Sequence, residues 1–211
     1  MYKLDPTKRI LLKPNVLSTK AKEWTEEFLK KRDINSKFKH TWIKDKINYH
    51  DEFVSALEKL TDFHCSYCDK YPLDGRAKID YQIDHFQPIS ESLFYHLVYE
   101  WNNLYLSCGG CNKSKLAQYS DLILRPDAED YVSSEYFFFD TSTGEILVNE
   151  IIGTTKSNRA KKTIEVFKLN HPSIIKFRLR AIKNYSRDKK IAETQLNIHD
   201  YDYRNFIEQL L

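Results

Sequence analysis

Apolar residues along the first sixty positions recur at helical spacing. Ala21, Trp24 and Phe28 share one face of a helix that Ser18 or Thr19 can cap and that runs to about Lys31. Ile43, Ile47, Val54 and Leu57 mark the stripe of a second predicted helix, from about Thr41 to Leu60. The period then changes to two. From Ala77 to Phe86 the chain alternates, with Ile79, Tyr81, Ile83 and His85 on one face and Asp80, Gln82, Asp84 and Phe86 on the other, which predicts a strand. A turn at Tyr71-Pro72-Leu73-Asp74-Gly75 precedes it, and Pro88 follows closely. Trp101 to Ser107 suits a second strand, and the chain from Asn112 suits the start of a helix. Tyr136 to Asp140 and Glu145 to Val148, joined by Thr141-Ser142-Thr143-Gly144, read as a hairpin, its aromatic run more fitting for a buried strand or partner surface than for stacking bases. Ser157 can cap a helix to about Leu169, and Pro172 opens another. The order predicts an α+β protein in three parts: a helical region over 1–62, a compact core over 63–120, and a hairpin with basic helices over 121–211.

Composition sharpens this picture in two places. The chain has 211 residues, 41% of them hydrophobic, enough to bury a core. No run of about 18 apolar residues occurs, and no basic, then apolar, then small-residue leader opens the chain, so the expectation is a soluble cytoplasmic protein without a membrane span. The net charge of +3 conceals segregation: +7 over residues 1–50, −4 over 51–120, −7 over 121–150, +10 over 151–190 and −3 over 191–211. Basic flanks around an acidic middle suit a polyanion held by the flanks while the middle carries cations. The alternative is that the lysine-rich helices are merely solvated.

The chemistry concentrates between Cys65 and Lys115. All four cysteines of the chain lie there, as two C-x-x-C pairs, Cys65/Cys68 and Cys108/Cys111. Four thiolates close a tetrahedral structural zinc site with no position open to water, and cysteines spaced this way suit a reducing compartment better than a disulfide framework does. Between the pairs stand Asp84 and His85, and Asn112 directly follows the last cysteine. A histidine can take a proton from water, a carboxylate and an amide oxygen can hold a hard cation, and together they suit hydrolysis. A regular strand would point Asp84 and His85 apart, so a shared site requires the strand to end or distort there. Asp80, His64, Glu91, His96 and Glu100 are nearby candidates to orient His85 or to serve as a further ligand. Lys115, one helical turn beyond Asn112, can reach a phosphate oxygen. Lys176, Arg178, Arg180, Lys183 and Arg187 are candidates for sequence-independent backbone contacts. Trp24, Trp42, His40 and His50 read as core aromatics and surface histidines.

The segments D-H, then N-L, then C-x-x-C-N-x-x-K resemble the HNH nucleases, a family with a ββα-metal core that often carries a zinc held by two C-x-x-C pairs. The resemblance implies that His85 is the general base and Asp84 a metal ligand. It further implies that Asn103, with Asn102 as the register alternative, steadies the loop between the strands, and that Asn112 fills the last motif position. An oxygen ligand there favours magnesium or manganese as the catalytic cation. Over a longer stretch, the H-C-x-Y-C start, the Y-E-W-N-N-L-Y-L-S-C-G-G-C-N-K-S-K block, the Tyr136 to Asp140 and Thr143-Gly144-Glu145 pattern and Leu169-Asn170-His171-Pro172 resemble the HNH subunit of Septu-type and retron-associated anti-phage systems. That resemblance implies an ABC-like ATPase partner. The motif addresses a phosphodiester and reads neither base nor sugar; DNA is the first expectation for the substrate and RNA the second. The competing expectation is a non-catalytic zinc-ribbon module that binds nucleic acid or a protein.

Overall fold

The computed structural model of the chain describes residues 1–73, 81–192 and 194–211. The protein is α+β, with helices around three separate two-stranded antiparallel sheets among the described residues. A short helix α1 (Pro6–Leu11) leads into the long α2 (Asn15–Ile34), which begins directly after Pro14 and buries Leu17, Trp24 and Phe28. It therefore starts three residues before the predicted cap.

The second predicted helix divides. Its first half is a hairpin, β1 (Ile43–Lys44) and β2 (Ile47–Asn48), with Asp45 and Lys46 both at positive φ in the turn. Its second half is α3 (His50–Thr61), which buries Phe53, Val54, Leu57 and Leu60. Ile43 and Ile47, spaced like a helical stripe, are instead 56% and 53% exposed.

At the centre, β3 (Tyr81–His85) pairs antiparallel with β4 (Leu104–Cys108), in a register that sets Asp84 opposite Tyr105 and His85 opposite Leu104. Residues 77–80 of the predicted strand and part of the turn before it lie outside the described residues. Trp101–Asn103, expected to open the second strand, form a 3-10 turn. The helix α4 (Gly109–Lys115) follows β4 without a loop and begins before Asn112. Its N-cap is Cys108, whose sulfur accepts the Cys111 N–H at 3.5 Å.

The aromatic run forms the one-turn α5 (Ser133–Tyr136) and then β5 (Phe137–Phe139), paired with β6 (Ile146–Val148). Helices α6 (Thr154–Phe167) and α7 (Pro172–Ile191) follow, and α8 (Arg204–Glu208) lies near the C-terminus. Pro172 occupies the first turn of α7 and the His171 side chain caps it. The core runs through Phe53, Leu57, Tyr67, Trp101, Tyr105, Leu106, Phe167 and Leu169, so the central strands, α3 and α6 share one apolar interior. No helix among the described residues is long and apolar enough to cross a membrane.

Candidate functional site

The cysteines come together as a buried cluster. Cys65 and Cys68 lie in a tight knuckle after α3, closed by Asp69 N–H to the Cys65 carbonyl at 3.0 Å and by Cys65 N–H to the Lys70 carbonyl at 2.9 Å. Ser66 N–H donates to the Leu106 carbonyl at 2.9 Å and so ties the knuckle to β4. The four sulfurs lie within 4.8 Å of one another, and Cys68 Sγ is 3.7 Å from Cys108 Sγ. Thiolates about 2.3 Å from a tetrahedral zinc stand about 3.8 Å apart, whereas a disulfide brings sulfurs to about 2.05 Å. The Cys111 thiol beside it holds Cys108 far below its ordinary value, while hydrogen bonds to Cys108 push Cys68 and Cys111 well up. Backbone N–H groups also point at sulfur, from Cys108 to Cys65 at 3.3 Å. These residues fit a structural metal such as zinc, which would stabilise all four sulfurs as thiolates.

Asp84 and His85 leave β3 on opposite sides. The Asp84 carboxylate turns into the core, accepting from the Tyr67 hydroxyl at 2.6 Å and from Lys115 Nζ at 3.2 Å. Tyr67 stacks on Phe167 of α6 at 4.0 Å, so α6 backs this face. Lys115 is fully buried and also donates to the His85 carbonyl at 2.6 Å. Burial pushes the Asp84 carboxyl up and the Lys115 ammonium down, and each charge opposes the other's shift. Lys115, expected to meet a phosphate, is thus spent in the interior as the partner of Asp84.

His85 lies on the other face, half-buried. Its Nε2 is 2.9 Å from the Val98 carbonyl, and its ring stacks on Trp42 with centroids 5.9 Å apart and planes 5° from parallel. His40 meets it edge-on at 5.0 Å. Burial lowers His85 to about 3, assisted by His40 and opposed by the Val98 carbonyl. The ring is therefore neutral at ordinary pH. His40 and Trp42, read from the sequence as surface and core residues, form the wall of the His85 face. The period-two alternation of Phe38, His40 and Trp42 was the available signal, and helical spacing of the neighbouring isoleucines masked it.

Asn103 is buried and clamps the loop after β3. Its Oδ1 accepts Gln87 N–H at 2.8 Å, and its Nδ2 donates to the Gln87 and Leu97 carbonyls at 3.1 and 3.3 Å. Asn102, the register alternative, is exposed and makes none of these bonds. Asn112 donates its amide N–H to Gln82 on β3 and makes no hydrogen bond to Asp84. Among the described residues, the cysteines form the only group of three or more cysteine, histidine or acidic side chains close enough to hold a metal. The expected pairing of Asp84 with Asn112 around a catalytic cation is not assembled, because Lys115 and Tyr67 engage the Asp84 carboxylate, while Gln82 takes only the N–H of the Asn112 amide.

Of the basic residues expected to bind nucleic acid, Arg180 and Lys183 are exposed on α7, whereas Arg178 is 1% exposed. Arg178 donates to the Gly144 carbonyl at 3.1 Å and lies over the Phe206 ring at 5.0 Å, fastening the β5–β6 turn and α8 to α7. Among the candidate orienters of His85, His64 is buried between the Asp62 and Tyr201 carbonyls, and Asp80 lies outside the described residues. The backbone carbonyl of Val98 is what orients His85. No protein-family model matches the chain, and no curated protein matches it.

Proposed function

We propose that the chain is an HNH-type endonuclease that hydrolyses phosphodiester bonds of nucleic acid with His85 as general base. The observation that carries this reading is the hydrogen bond from His85 Nε2 to the Val98 carbonyl at 2.9 Å. A carbonyl only accepts, so Nε2 bears the hydrogen, and Nδ1 of the neutral ring keeps its lone pair. That nitrogen takes a proton from water once the negative charge of a bound phosphate offsets the lowering that burial imposes on the ring. The hydroxide oxygen then bonds to phosphorus, while the bond to the leaving oxygen breaks with its electron pair on that oxygen, which is afterwards protonated. The antiparallel β3–β4 pair running directly into α4, stapled by the cysteine cluster and with Asn103 clamping the connecting loop, supports the same reading.

The HNH resemblance implies magnesium or manganese on Asp84 and Asn112. The Asp84 carboxylate is already held by Lys115 and Tyr67, and an ammonium at 3.2 Å repels a further cation, so the residues present do not fit that ion. The wider resemblance supports a role as effector of a cytoplasmic anti-phage complex with an ABC-like ATPase as partner.

A second reading, a non-catalytic zinc-ribbon module, is favoured by the pairing of Asp84 with Lys115, which satisfies the carboxylate as a structural ion pair would. Cleavage of supercoiled plasmid and of total tRNA separates the two. The purified chain is assayed with and without magnesium or manganese, alone and with the candidate ATPase, beside His85→Ala. Cutting that disappears in a folded His85→Ala supports the nuclease and names its polymer. Wild-type cutting by the variant removes His85 from the mechanism, and no cutting with the partner present leaves the binding module.

A further inference from the structure

From Phe38 to Lys44 the chain runs across the His85 face with residues alternately half-buried and exposed. Phe38 turns inward against Phe28 at 6.1 Å, and His40 and Trp42 turn inward against His85. Lys37, Lys39 and Thr41 are left on the outer face, and Lys46 stands exposed at the tip of the β1–β2 hairpin. Lys44 is held by Glu27 at 2.8 Å, whereas Lys37, Lys39 and Lys46 have no ion-pair partner among the described residues. Over residues 37–50 the chain carries four lysines and two histidines against a single acid, Asp45. A cationic strap thus lies over the histidine proposed as the base.

Between this strap and β3 opens a cavity of about 270 Å³, walled by His40, Trp42, His50, Tyr81, Gln82 and Ile83. Among the described residues no carboxylate lines it, and the Asp51 carboxylate is taken up by His50 Nδ1 at 3.0 Å. Gln82 Oε1 accepts from Asn112, which leaves the Gln82 amide N–H₂ to donate. His40 has no hydrogen-bond partner among the described residues, and burial, with the Lys44 charge nearby, lowers it to about 4. A neutral imidazole N–H and an amide N–H₂ are donors matched to the oxygens of a phosphate. By contrast, α6 and α7 supply none of the ring or hydrogen-bond partners of His85.

We infer that this cavity is a phosphate-binding subsite for a nucleic-acid strand, in which His40 and Gln82 contact one phosphate and Lys37, Lys39 and Lys46 hold the adjoining backbone. The inference rests on the nuclease reading of His85 and places the substrate on the strap rather than on the C-terminal basic helices.

The test is binding of a fluorescein-labelled DNA duplex, and of RNA of the same sequence, with calcium replacing magnesium or manganese so that binding is read without turnover. Replacing Lys37, Lys39 and Lys46 together by alanine is expected to raise Kd about tenfold or more. The slope of log K against log salt should fall by up to about 2.7 on DNA, near 0.9 for each phosphate contact. These side chains are exposed, so folding is not at stake. His40→Ala is expected to weaken binding and His40→Gln, which keeps a donor, to restore most of it. Replacing Lys176, Arg180 and Lys183 by alanine should do less than the strap triple. Binding that survives the strap triple and fails in the helix triple overturns the subsite and leaves the nuclease reading standing. No binding of either polymer by the wild-type chain overturns both.

Discussion

Asp84 is a carboxylate taken out of water, and what it touches decides what it can do. Lys115 and Tyr67 satisfy it, with an ammonium 3.2 Å and a hydroxyl 2.6 Å away. Removing one partner of a buried ion pair leaves an uncompensated charge and costs about 3–5 kcal/mol, whereas removing both charges is often near neutral. Lys115→Met is therefore expected to lower stability by that amount in urea unfolding, and Lys115→Met combined with Asp84→Asn to recover a large part of it. A single variant as stable as the parent would show that the ammonium is not what offsets the buried carboxylate. The cysteine cluster and the loop clamp of Asn103 were legible in the sequence because short fixed spacings carry them; Asp84 and His85 stood out in the same way, but that β3 stays regular there and sends them to opposite sides was not legible. The direction of Lys115 was not, because nothing local says that a tyrosine and a carboxylate wait beneath α4. Arg178 escaped for a related reason: a cation on a basic helix reads as solvated until the turn carbonyl and aromatic ring that surround it are known.

At the scale of elements, two hairpins show which turns a sequence announces. The β5–β6 turn carries Gly144 at φ +76°, with Gly144 N–H donating to the Asp140 carbonyl at 2.8 Å, and was legible from Thr-Ser-Thr-Gly. The β1–β2 turn places Asp45 and Lys46 at φ 51° and 68° with no glycine to mark it. There the i, i+4 spacing of Ile43 and Ile47 imitated a helix. The strap over His85 was lost with that hairpin, and with it the roles of His40 and Trp42. Gly144 offers a measurement at this scale. A Cβ built there would lie 3.0 Å from Leu179 Cγ and 3.1 Å from the Ile175 carbonyl oxygen. The backbone carbonyl cannot move aside without disturbing α7, and left-handed strain alone is about 1–2 kcal/mol. Gly144→Ala is expected to destabilise by more than about 1 kcal/mol in thermal or urea unfolding, and an unchanged midpoint would place the hairpin free of α7.

Across the whole molecule, segments distant in sequence close on the centre through buried charge pairs. Arg9 of α1 donates to Asp127 and, at 2.9 Å, to the Leu104 carbonyl, while Arg125 approaches the same carboxylate at 3.4 Å. Burial opposes ionisation of Asp127, but the two guanidinium groups and the Tyr105 hydroxyl outweigh it and hold its pKa below the ordinary value. A depressed folded-state pKa contributes stability that is complete above the unfolded value, about 3.9, and is lost as pH falls through the folded one. Asp127→Asn should therefore unfold more easily at pH 7 and lose less on going to pH 3 than the parent does; equal losses would remove this pair from the acid response. At the other end, Arg204 grips Asp69 at 2.6 Å, and Tyr203 N–H donates to the Asp69 carbonyl at 2.8 Å. Asp69 directly follows Cys68, so the C-terminal segment is fastened to the knuckle that holds the cysteine cluster. Small zinc domains bind the metal with about 10–16 kcal/mol of apparent free energy, comparable to or larger than the roughly 5–15 kcal/mol that keeps a domain folded. Without a cation, several thiols must stay protonated in a space shaped for four thiolates, the knuckle loosens, and the Asp69 anchor goes with it. Elemental analysis is expected to find one zinc per chain. Chelation, or replacement of Cys65 and Cys68 by serine, should abolish the cooperative unfolding transition of the entire chain. A chelated protein that keeps that transition would show that core packing alone holds the two ends to the centre.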